Sequence, residues 1–176
     1  MAFWLVTLFA MLAILSPVMW LRPSRRDRRL GELRQYARQK GVGVKFAKPP
    51  LHAPTSGVLS YSWPYPQHSP GPYFVLVRNS HAGESLRPFS EEFGEWRWRI
   101  EPLRPLLEEA RRSLESALEQ LPEDALVLES ERGYLTLWWS ESQDVTAFDA
   151  THAVLATARD ALGDPGQGRD SLSAPP

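Results

Sequence analysis

Residues 95–121 read EWRWRIEPLRPLLEEARRSLESALEQL, and the period of their apolar residues changes once within the stretch. From Glu95 to Ile100 apolar and charged side chains alternate, which places Trp96 and Trp98 on one face of a half-buried strand and Arg97 and Arg99 on the other. From Leu103 onward the apolar positions are Leu103, Leu106, Leu107, Ala110, Leu114, Ala117, Leu118 and Leu121. Their three- and four-residue steps predict a helix with one apolar face, closed by Pro122. A strand that runs straight into an amphipathic helix calls for a sheet with helices laid against it.

Working outward, short apolar runs bounded by Pro and Gly predict five more strands: Val42–Ala47, Val58–Trp63, Tyr73–Arg78, Leu126–Ser130 and Tyr134–Ser140. The run Tyr73-Phe74-Val75-Leu76-Val77 is apolar on both faces and is expected at the centre of the sheet. Glu129 to Gly133 reads as a hairpin turn. A last helix is predicted over Val145–Leu162, and the Gly-, Pro- and Ser-rich residues 163–176 read as a disordered tail. The fold class is therefore α+β, a mainly antiparallel sheet with helices packed on one face, in a domain spanning 41–162.

Ahead of it, Ala2 to Leu21 are twenty residues without a charge, about 30 Å as a helix and enough to cross a bilayer. The sequence thus predicts an N-terminal transmembrane helix over 1–21, with Trp4 and Trp20 at the interfaces. Arg22, Arg25, Arg26, Arg28 and Arg29 follow directly. Positive charge of that density predicts a single-pass protein of a bacterial inner membrane, N-terminus outside and domain cytoplasmic. Ser24 is placed to cap a basic helix within 22–40, whose narrow stripe of Leu30, Leu33 and Tyr36 or Ala37 suits a membrane surface. Those arginines either recognise anionic lipid headgroups or serve only to fix topology.

Candidate chemistry is sparse. The chain has no cysteine, which excludes disulfides and thiolate metal sites. His52, His68, His81 and His152 lack metal-ligand spacing, and no cofactor motif is present, so neither metal nor cofactor is expected. His152, between Phe148 and Leu155, reads as a hydrogen-bonded core residue. Residues 48–72 hold seven prolines interleaved with Tyr61, Trp63 and Tyr65. The segment is either a partner-docking surface or a connection between edge strands that its prolines keep from pairing. Trp138 faces away from Leu135, Leu137 and Trp139, so it is either an exposed binding residue or covered by a helix or loop. Residues 22–40 carry +6, leaving −7 on the rest, and the arginines and tryptophans of 96–99 face opposite ways, which argues against nucleic acid.

The junction Met19-Trp20-Leu21-Arg22-Pro23-Ser24-Arg25-Arg26-Asp27-Arg28-Arg29 resembles the corresponding segment of YajC, the small accessory subunit of the bacterial Sec translocon. Beyond it Gly41-Val42-Gly43-Val44-Lys45 departs from that family's glycine-containing β pattern. The chain is also similar in style to small single-pass inner-membrane proteins of Gram-negative bacteria rich in Arg, Leu and Trp. The expectation is a non-enzymatic, membrane-anchored adaptor that binds another protein. The alternatives are an accessory subunit of a membrane complex such as the translocon, or a membrane-attached hydrolase using His81 or His52.

Overall fold

A computed structural model describes residues 3, 4, 6–9, 11, 24–51, 57–90 and 94–163. Helix α1 (Arg25–Gln39) leads into β1 (Gly43–Ala47), β2 (Val58–Pro64), β3 (Phe74–Arg78), a 3-10 turn at Asn79–His81, and β4 (Trp96–Ile100). Then come α2 (Glu108–Gln120), β5 (Ala125–Ser130), β6 (Tyr134–Trp139) and α3 (Val145–Leu162). The strands form one antiparallel six-stranded sheet in the order β1-β2-β6-β5-β3-β4. β3 is buried on both faces, as its apolar run demands, but it lies second from an edge. The β5–β6 hairpin takes the centre.

One sheet face carries Tyr61, Trp63, Phe74, Leu76, Leu128, Leu135, Leu137 and Trp139, and all three helices pack on it. Leu114 of α2 and Phe148 and Leu155 of α3 are fully buried there. The opposite face holds a smaller cluster of Val75, Val77, Val127 and Trp138, with Leu51, Ala82, Ile100 and Leu126 packed against it. Strand periodicity of two sends alternate residues of β3 into the two clusters.

The expectation of an N-terminal transmembrane helix is overturned: no helix among the described residues is long and apolar enough to cross a membrane. Of that segment only residues 3, 4, 6–9 and 11 are described, all of them helical. The other residues of 1–21, Trp20 among them, and Arg22 lie outside the described residues. The single-pass topology and the inner-membrane placement go with it.

The basic helix belongs to the domain. Its capping box is complete, with Ser24 accepting from the Asp27 N–H and Asp27 accepting from the Ser24 N–H; the Ser24 hydroxyl also donates to Asp27, and that bond with the Ser24 N–H holds the Asp27 carboxyl below its usual range. Leu33 and Ala37 are fully buried in the main core, so the apolar stripe faces protein and not lipid. At the far end Gly41 takes a positive φ of 80° and turns the chain into β1.

Helix α2 begins five residues later than the apolar periodicity predicts. Pro102 and Pro105 disfavour helical geometry at Glu101 and Arg104, so 102–107 runs as an irregular segment. Leu103, placed by period on the buried face, is instead 100% exposed, and Leu107 is also exposed.

Candidate functional site

The expected partner-binding aromatics are core residues. β2 runs through the proline-rich stretch and pairs with both β1 and β6, so it is an interior strand, and its Tyr61 and Trp63 point into the core, 0% and 1% exposed. Tyr65, just beyond, is buried. Its hydroxyl lies 2.8 Å from Ser130 Oγ, and burial pushes the phenol up to about 12. Its ring sits where a side chain at position 71 would have to go, which requires Gly71. Trp138 is buried too, its indole N–H donating to Glu129 at 3.2 Å, and burial raises the Glu129 carboxyl despite that bond. No docking surface exists at these four positions.

Polar groups in the core hold the fold together. Glu141, buried and at a positive φ of 60°, accepts from Arg34 Nε at 2.8 Å and Nη2 at 2.5 Å, and from the Tyr61 hydroxyl at 2.7 Å. Burial and the adjacent carboxylate push the Tyr61 phenol well up, and the Glu141 bond raises Arg34. Arg29 donates to the carbonyls of Glu141 and Ser142, so it clamps α1 to the domain. Arg25, Arg26 and Arg28 stay exposed, as does Trp4. His152 is half-buried on α3 and accepts at Nδ1 from the Trp63 indole N–H at 2.9 Å. Ser80 Oγ and His81 Nδ1 are 2.9 Å apart on an exposed turn, a contact between neighbours in sequence. His52 lies outside the described residues. Among the described residues no group of His, Asp and Glu is placed to hold a metal ion.

A surface that combines concavity with exposed apolar area lies between β4 and α2. Residues 87–89 run along the outer side of β4, Trp98 N donating to Arg87 O and Phe89 N to Trp96 O at 2.8 and 2.9 Å. They carry Phe89 over the strand, its ring centroid 5.1 Å from that of Trp98. Trp98 is held from beneath by Phe74, edge to face at 5.6 Å. On the outer face Arg97 donates to Asn79 Oδ1 and to the carbonyls of Glu84 and Leu86, and Arg99 to that of Pro50. The alternating arginines therefore tie loops to the sheet, and the tryptophans build the groove floor.

Phe89 divides the groove into two hollows. One, of about 380 Å³, is lined by Trp98, Pro102, Leu103, Pro105, Leu106 and the guanidinium of Arg111, among others. The Arg111 guanidinium lies 5.9 Å from the Phe89 ring centre, and Arg87 pairs with Glu101 at 3.2 Å at the rim. The other, of about 290 Å³, has Trp96 and Leu118 as its apolar walls and Glu95, Glu115 and Glu119 around it. Glu95 is paired with Arg78, whose guanidinium also stacks 5.0 Å over Trp96. An apolar notch beside an acidic one suits an apolar side chain followed by a basic one. Reading Leu103 as part of a helix concealed the notch; Pro102 and Pro105 were the signal available in the sequence.

No protein-family model matches the chain, and no curated protein matches it. Among solved structures it is similar to the crystal structure of the mycobacterial trehalose monomycolate transport factor A, TtfA, at 9% identity and a TM-score of 0.44. The superposition covers 75% of this chain and 93% of that one.

Proposed function

We propose that the chain is a non-enzymatic interaction module, an adaptor that holds another protein through a short segment seated between β4 and α2. The observation that supports this reading is the groove over Trp98 and Phe89, with the fully exposed Leu103 at its lip. An apolar side chain left in water on a rim of prolines gains from being covered, at about 25 cal/mol per Å² buried. The partner segment presents a large apolar residue to the Trp98 notch and a Lys or Arg to Glu115 and Glu119.

Selection of peptides from a random display library against the full chain tests it. The expected result is enrichment of an apolar residue followed within a few positions by Lys or Arg, with binding lost in Leu103→Asp and weakened in a Glu115→Lys, Glu119→Lys variant. All three positions are outside the main core, so the variants retain the fold, which circular dichroism verifies. Enriched peptides that bind Leu103→Asp as well as the parent overturn the groove.

A further inference from the structure

The sheet has two edges, and among the described residues only the β4 edge is covered. At β4 residues 87–89 occupy the outer side through main-chain bonds. β1, at the other end of the strand order, pairs with β2 alone. Its outer main-chain groups meet no strand among the described residues, and Phe46 stands 72% exposed on it. Helix α1 is fixed beside this edge by buried Leu33 and Ala37 and by Arg34 on Glu141.

This corner of the molecule is strongly basic. Residues 24–48 hold nine Arg or Lys against Asp27 and Glu32, whereas 49–163 hold nine against seventeen Asp or Glu. Arg34 is taken up by Glu141, Arg29 by backbone carbonyls and Lys40 by Asp149 at 3.1 Å. Arg25, Arg26, Arg28, Arg38, Lys45 and Lys48 have no ion-pair partner among the described residues.

From the open edge and this charge together, we propose that β1 accepts an acidic, extended segment of another protein as a seventh strand, a site separate from the groove at β4. Main-chain hydrogen bonds to β1 supply the affinity, and Asp or Glu beside an apolar residue over Phe46 supplies the selectivity. A second copy of the chain does not fit, because pairing two β1 edges brings two basic corners together, and Lys45 meets like charge. A polyanion without a strand satisfies the charges but leaves the edge unpaired.

The test uses the full chain with a ten-residue synthetic peptide alternating Val with Asp or Glu, and the same peptide N-methylated at every residue to remove the donors of both its edges. Anisotropy is expected to show binding of the first peptide and at least tenfold weaker binding of the second. Hydrogen exchange of the β1 amides is expected to slow only with the first. Lys45→Glu and Phe46→Glu, both at exposed positions, are expected to weaken binding about tenfold each while the thermal melt holds. Equal binding of the two peptides, or binding of phosphatidylglycerol vesicles that displaces the peptide without any β1 protection, reduces the corner to a charged surface and overturns the proposal. No binding of the unmodified peptide overturns it as well.

Discussion

The His152 imidazole shows how one side chain can serve the fold and limit the pH at which it is stable. It accepts the Trp63 indole N–H at Nδ1, its ring tilted 23° from the indole plane with centroids 6.2 Å apart. Burial holds its pKa below the ordinary 6.5, with the nearby Lys40 and Arg159 charges adding and Asp149 opposing. The folded state therefore favours the neutral ring and the unfolded chain takes up the proton first. Stability is present in full above pH 6.5 and is lost as pH falls toward the folded-state value. In His152→Ala this slope disappears. At pH 7.5 the same variant loses about 1–2 kcal/mol, because the indole N–H of Trp63, itself 1% exposed, loses its acceptor. Urea unfolding of both proteins at pH 5 and 7.5 checks the two effects, and a His152→Ala slope equal to the parent's would refute the assignment.

At the scale of elements, α1 is the part whose role changes most between sequence and structure. A basic helix with a narrow apolar stripe looks the same in sequence whether the stripe meets lipid or protein. Only the burial of Leu33 and Ala37 against the core, and the reach of Arg34 to Glu141, distinguish them. Leu33→Ala is thus expected to cost about 2–4 kcal/mol of unfolding free energy, read as a lower urea midpoint at unchanged slope. A helix lying free of the domain would leave the midpoint where it was. Most strands were legible because Pro or Gly flank their apolar runs; α3, legible as well, is capped by Asp144, whose carboxylate accepts from Ala147 N. Two features were hidden. The proline count around Trp63 hides an interior strand, since Pro54 lies ahead of β2 and Pro64 falls on its last residue, where it interrupts no interior pairing. The period from Leu103 to Leu107 continues that of α2, although Pro102 and Pro105 forbid the helix there. The groove was consequently absent from the sequence reading, which sought its docking aromatics among residues that fill the core.

The whole molecule has a formal net charge of −1, which conceals two opposed regions, +7 over residues 24–48 and −8 over 49–163. With so little net repulsion, two copies approach freely and the basic corner of one is drawn to the acidic surface of the next, an arrangement that pairs unlike ends and leaves β1 edges apart. At about 10 mM ionic strength the Debye length is about 30 Å and this attraction acts across the molecule, whereas at 0.15 M it is about 8 Å and only contacts survive. Static light scattering of the full chain is expected to give a negative second virial coefficient at low salt that rises as salt is added. Replacing Arg25, Arg26 and Arg28 by Glu should abolish the rise, because it removes six units of charge difference from side chains that hold no ion pair among the described residues. Association through exposed apolar side chains such as Phe3 and Phe9 has the opposite signature, since excluded salts strengthen apolar burial. Attraction that holds steady or grows from 10 to 150 mM would therefore assign self-association to those side chains and remove charge separation as its cause.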